Sequence, residues 1–244
     1  MTKAALFPTC VVDAVAPEVG FATARVLARR GCDVSLAERT TCCGQPAWNS
    51  GFTQPAAMVA RTTLAGIEEA LVDSDVVVVP AGSCATMIKV FWPELFEIER
   101  DPDCARRARA VADRVVELSA FLCSTGPVEP GDGFTERVRY HPSCHMLREL
   151  GLKDEPCDAL RGAGYDVDKG DERCCGFGGM FSVKLPETSI AMADDVLDAA
   201  VASGATDVIA ADSSCLMQLR SRAEARGLPL TFRHLAVALD DAEQ

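Results

Sequence analysis

Cys42-Cys43-Gly44-Gln45-Pro46 and Cys174-Cys175-Gly176-Phe177-Gly178 are two versions of one phrase. Outward from the first pair, Cys10 stands upstream and Cys84 downstream. Outward from the second, Cys144 and Cys215 stand at closely similar distances on the two sides. Cys10 corresponds to Cys144, Cys42 to Cys174, Cys43 to Cys175 and Cys84 to Cys215, with a nearly constant offset along the chain. Eight of the twelve cysteines therefore fall into register twice. That pattern implies a duplicated chain, each half of which gathers four soft sulfur donors from three loops.

The segments around the cysteines repeat as well. In the first half, Ala4–Phe7, Asp33–Leu36 and Val76–Val79 read as short strands. Helical periodicity covers Glu18–Arg30 and Pro55–Val72, and a further helix is expected after Cys84. In the second half, Val138–Tyr140, Tyr165–Val167 and Val208–Ala210 read as strands, with helices at Glu155–Ala163, Pro186–Ser203 and after Cys215. Glu117–Leu122 and His234–Leu239 also correspond. Gly and Pro are expected to keep Cys42–Pro46 non-helical, and Cys174–Gly179 reads as a glycine-rich loop. Strands alternating with helices define an α/β protein of two pseudo-repeated halves, each a mostly parallel sheet flanked by helices. Cys10, Cys84, Cys144 and Cys215 follow strands closely and the vicinal pairs follow at a longer distance, which places a thiol site at the C-terminal strand ends of each sheet. The expected division is residues 1–124 and 135–244, joined by a Gly- and Pro-rich linker at 125–134.

The chain has 244 residues, 48% of them apolar, which suffices for a packed core without staples. Thirty-six acids against 24 bases give a net charge of −12, which argues against nucleic acid or anionic lipid as partner. No apolar run approaches membrane-spanning length, and the N-terminus has no signal-peptide layout. A cytoplasmic location is expected, with room for peripheral docking on a membrane complex. In a reducing compartment, patterned thiols read as metal ligands or redox centres rather than as disulfides.

Four thiolates suit zinc or an iron–sulfur cluster. The Cys-x-x-Cys knuckles of structural zinc sites do not occur in the sequence, and adjacent cysteines fit awkwardly around one small ion. A multi-iron cluster lets each sulfur of a pair meet a different iron. The spacing matches neither common ferredoxin pattern. Zinc and a metal-free dithiol centre remain the alternatives.

Several stretches also carry a family resemblance. They are Pro17–Gly20, Cys42–Gly51 and Gly82–Met87 in the first half, and His141–His145, Cys174–Lys184 and Ser214–Met217 in the second. These stretches resemble the cysteine-rich CCG domain, which occurs in the B subunit of heterodisulfide reductase and in the iron–sulfur subunits of glycolate oxidase and anaerobic glycerol-3-phosphate dehydrogenase. Within that group the chain is similar to the lactate-utilisation protein A family. The resemblance implies an electron-transfer subunit, with one or two iron–sulfur clusters of the 4Fe–4S type, in a complex oxidising L-lactate to pyruvate. It implies two partners, a ferredoxin-type iron–sulfur subunit and a third small subunit. Thiol–disulfide chemistry like that of heterodisulfide reductase is the alternative. Against it, Met87 and Gln218 stand where that relative carries a fifth thiol in each half.

Other candidates are weaker. His145 follows a motif cysteine and His141 precedes it by three, so either can ligate iron or bond to a cluster sulfur; His141 can equally cap a strand end. Gly44 and Gly176 offer room for a cluster, and Trp48 reads as a packing lid or a substrate contact. Cys32, Cys104, Cys123 and Cys157 have no counterpart in the other half and read as incidental thiols. Arg106, Arg107 and Arg109 read as a solvated helical face or, alternatively, a docking patch.

Overall fold

Four consecutive valines form the centre of the first sheet. β-branched side chains fit a pleated, doubly covered surface, and Val77–Val79 are fully buried. The computed structural model describes residues 1–126 and 136–242, and it divides into two units, Met1–Phe121 and Leu122–Gln244.

The first unit runs β1 (Lys3–Leu6), α1 (Cys10–Val15), α2 (Pro17–Arg29), β2 (Asp33–Leu36), α3 (Gln45–Trp48), α4 (Thr53–Asp73), β3 (Val76–Val79) and α5 (Gly82–Thr86). A π-helical turn, Met87–Phe91, continues α5 into α6 (Trp92–Ile98), α7 (Pro102–Ala112) and β4 (Val115–Glu117) follow, and α8 (Leu118–Thr125) runs across the boundary between the units. All strand pairs are parallel, in the order β2-β1-β3-β4, with Leu6 opposite both Leu36 and Val78. Helices α2 and α4 cover the sheet through Val19, Val26 and Leu27, and through Leu64 and Ile67, all buried.

The second unit runs β5 (Arg137–Tyr140), α9 (Cys144–Glu149), α10 (Glu155–Gly162), β6 (Asp166–Lys169), α11 (Met180–Lys184), α12 (Pro186–Ala202), β7 (Asp207–Ala210), α13 (Ser213–Arg226), β8 (Thr231–His234) and α14 (Leu235–Ala242). Its sheet is again wholly parallel, in the order β6-β5-β7-β8. The two halves thus share one topology. In both, the chain leaves the first strand towards one edge and later returns to the other side of it. That reversal opens a crevice at the C-terminal ends of β1 and β3, and of β5 and β7.

Several local expectations change. Gln45 and Pro46 open a short helix instead of a loop: Gly44, at φ 90°, supplies a left-handed N-cap, and Pro46 sits in the first turn, where its missing N–H costs nothing. Cys10 and Cys144 are the first residues of α1 and α9, while Cys84 and Cys215 lie in the first turns of α5 and α13. Only the vicinal pairs occupy loops. β4 and β8 complete the sheets, and a buried side chain at the end of each caps the next helix. Glu117 accepts from the Ser119 N–H at 2.7 Å, and His234 Nδ1 accepts from the Ala236 N–H at 3.1 Å. The linker expected at 125–134 lies, from residue 127 on, outside the described residues, and Thr125 closes α8. The arginines of α7 are engaged within the unit: Arg107 grips Glu68 at 2.6 and 2.9 Å, Arg106 pairs with Asp103, and Arg109 pairs with Glu97. They form a solvated, paired face rather than a bare cationic patch. No described helix is long and apolar enough to cross a membrane.

Candidate metal centres

In the first half, β1 delivers Cys10 to the crevice, β3 delivers Cys84, and the loop after β2 carries Cys42 and Cys43 across to meet them. The four sulfurs form one string. The Cys10 and Cys43 thiols both lie against the Cys42 sulfur. The Cys43 thiol donates to Cys84, with the two sulfurs 3.3 Å apart. The Gly44 N–H donates to the Cys42 sulfur at 3.4 Å. The second half repeats this string: Cys144 and Cys175 lie against Cys174, Cys175 donates to Cys215 at 2.9 Å, and the Gly176 N–H donates to Cys174 at 3.4 Å.

This arrangement polarises the thiols. The neighbouring Cys10 and Cys43 thiols, with the Gly44 N–H, hold Cys42 far below the ordinary cysteine range. Cys10 and Cys43 are pushed up in turn, because each lies against Cys42 and each is partly or wholly desolvated. Cys174 is lowered by the same contacts from Cys144 and Cys175, and those two are raised. One thiolate per site forms readily; the next ones must ionise against a neighbouring negative charge inside the protein. A cationic metal centre offsets that repulsion. The positive ends of the helices that begin at the cysteines favour anionic sulfur as well. Four soft donors in one contiguous group suit a metal cluster.

The vicinal loops are held from behind. Thr63 donates to the Cys42 carbonyl at 2.8 Å, and the Trp92 indole N–H donates to the Cys43 carbonyl at 2.8 Å. Gln45 donates to the Ser83 carbonyl at 3.1 Å, and Trp48 packs on Phe91 with ring centroids 5.6 Å apart. This contact joins the pair's loop to the turn that follows the helix carrying Cys84. In the second half, Gln218 donates to Ser189 at 2.9 Å and Ser189 donates to the Gly176 carbonyl at 2.7 Å. Trp92 and Ser189 have no signature in the spacing of the motif. Gly44 and Gly176 do supply N–H donors, but the crowding that requires glycine comes from the following helices. A Cβ at Gly44 would lie 2.9 Å from the Ala56 carbonyl oxygen, and one at Gly176 would lie 2.4 Å from that of Ser189.

The two sites differ in their surroundings. Thr9, which precedes Cys10, is held at φ 60°, an uncommon strain for a β-branched residue, whereas Ser143 before Cys144 is relaxed. Asp212, buried before Cys215, replaces Ala81 and helps to push up Cys144 and Cys215. His141 lies at the end of β5. Burial holds its imidazole down at about 4, so it is neutral at physiological pH. His141, Cys175 and Cys215 bring their donor atoms within 4.8 Å of one another. His145 is half-buried in the first turn of α9. Met87 is fully buried, and Gln218 donates to Ser189. Of the unmatched cysteines, Cys32, Cys104 and Cys157 are buried and Cys123 is exposed.

A repeated parallel α/β half with a vicinal-cysteine site at the sheet's C-terminal edge defines the cysteine-rich CCG domain, whose family model matches residues 4–89 and 138–220. Full-length relatives narrow the class. Lactate utilization protein A of an Exiguobacterium species is 38% identical over 249 residues, covering 99% of this chain and 98% of its own. The proteins of that name from Bacillus velezensis and Bacillus subtilis are each 38% identical over 242 residues, covering 98% of this chain and 99% of theirs. The chain belongs to the lactate utilization protein A family.

Proposed function

We propose that this protein is an iron–sulfur electron-transfer subunit of an assembly that oxidises L-lactate to pyruvate. Cys10, Cys42, Cys43 and Cys84 hold one cluster, and Cys144, Cys174, Cys175 and Cys215 hold a second, each of the 4Fe–4S type. The observation that carries this reading is the contiguous string of four thiols in each half. When bound, the clusters supply one-electron transfer. The chain's own residues set the terms: Gly44 and Gly176 direct N–H groups at sulfur, and Trp92 and Ser189 fix the loops that carry the pairs. The relatives' name supports the lactate assignment, and the four thiols of each half support a subunit that relays electrons for a partner. The partners are a ferredoxin-type iron–sulfur subunit and a third small subunit, and the assembly works in the cytoplasm or docked on a membrane complex.

The test begins with iron and acid-labile sulfide analysis after anaerobic purification. Iron and sulfide in equal amounts at both sites are expected; zinc without sulfide would overturn the cluster assignment. Deletion of the gene in a host with no redundant lactate dehydrogenase is expected to abolish growth on L-lactate, and unimpaired growth would reject the substrate.

A further inference from the structure

The two sulfur strings match residue for residue, but the positions that flank them do not all match. Phe7-Pro8-Thr9-Cys10 in the first half aligns with His141-Pro142-Ser143-Cys144 in the second. Both Phe7 and His141 follow the first strand of their sheet, and both are buried. Their backbones are held alike: the Phe7 N–H donates to the Val78 carbonyl at 3.0 Å, and the His141 N–H donates to the Ile209 carbonyl at 2.7 Å. The fold therefore places a side chain at the same point of each crevice. In the first half it is a hydrocarbon; in the second it is an imidazole.

That imidazole is 3% exposed, and its Nε2 has no hydrogen-bond partner. A buried polar atom without a partner costs about 1–3 kcal/mol and calls for a reason. The Cys175 and Cys215 sulfurs supply one, since they and a ring nitrogen of His141 lie within 4.8 Å of one another. Cys175 and Cys215 are themselves embedded in an apolar cluster with Ala193, Leu197 and Leu216.

We propose that His141 ligates iron through Nε2 in the second-half site, making it a mixed thiolate–imidazole centre, while the first-half site is all-thiolate. This rests on the cluster reading above. A neutral imidazole adds a donor without adding negative charge.

The test uses the full-length protein, purified anaerobically with its clusters, with and without 15N-histidine labelling. Iron and sulfide are measured on the same samples, and nitrogen couplings are read by electron–nuclear double resonance of the reduced form. The chain has three histidines, so the double variant H145Q/H234Q leaves His141 as the sole source of a histidine signal. The strong coupling of a directly bound, histidine-derived nitrogen is expected in the wild type, retained in H145Q/H234Q and lost in H141F, the residue found at the matching first-half position. Clusters present with no histidine coupling, or with only the weak coupling of a hydrogen-bonded nitrogen, would overturn the proposal. So would loss of the signal in H145Q/H234Q. Should H141F not fold, the labelled wild type and the double variant still decide. Absence of iron and sulfide from the wild type would remove the cluster reading itself, and this inference with it.

Discussion

Gly176 turns the second vicinal pair against α12, at φ +81° and with a virtual Cβ 2.4 Å from the Ser189 carbonyl oxygen. Neither the backbone angle nor the carbonyl can yield cheaply, so G176A is expected to cost about 3 kcal/mol or more. Gly44 meets the milder approach of 2.9 Å to Ala56 at φ +90°, and G44A should cost about 2 kcal/mol. Urea midpoints of the two variants should fall in that order; unchanged midpoints would mean that the loops can relax away from their helices. The cysteines outside the motif differ from one another in reach and acidity. Cys157 is fully buried, and burial pushes its thiol up to about 11, while Cys32 and Cys104 are also buried and raised. Cys123 is exposed. At mildly alkaline pH, iodoacetamide should label Cys123 first and Cys157 last, as peptide mass spectrometry would show; early labelling of Cys157 would contradict its burial.

At the scale of elements, each pair depends on a helix distant in sequence. Trp92 opens α6, is fully buried, and donates to the Cys43 carbonyl from far along the chain. W92F keeps most of the ring's packing but strands that carbonyl, so a loss of about 1–3 kcal/mol is expected, together with weaker retention of iron by the first half. Equal stability and iron content in W92F would mean that the bond is dispensable. Such contacts were not legible in the sequence, because nothing in the spacing of Cys42, Cys43 and Cys84 points to position 92. His141 is a related case: its proximity to Cys144 in the chain was visible, but its meeting with Cys175 and Cys215 depends on the pairing of β5 with β7. The cysteine groups themselves were readable because the repeat states the pattern twice. β3 was readable because four valines have no other comfortable place. β4 and β8 were not: they are short, mix apolar with charged or polar side chains, and exist through pairing with β3 and β7. The helices α1 and α9 are too short to show a period, so Cys10 and Cys144 read as loop residues.

At the scale of the molecule, duplication has consequences for how the metal centres load. Each half builds its own sheet, in the same strand order, and each sheet supplies all four sulfurs of its own site. No sulfur of one string is required by the other. Loading of one site should therefore be insensitive to removal of the other, unlike a site whose ligands are shared between halves. C42S/C43S removes both sulfurs of the first vicinal pair and leaves Cys144, Cys174, Cys175 and Cys215 untouched. C174S/C175S does the converse. Because serine is smaller and its hydroxyl is a poor ligand for iron, each double variant should keep its fold and lose one centre only. Iron and sulfide per chain should fall to about half of the wild-type value in both, with the remaining paramagnetic spectra different from each other and summing to that of the wild type. Thr9, Asp212 and His141 give the reason to expect different spectra, since the first is strained beside one site and the others are buried beside the second. If either double variant lost all of its iron, the two halves would be loading as one unit, and duplication would have produced a single shared centre instead of two.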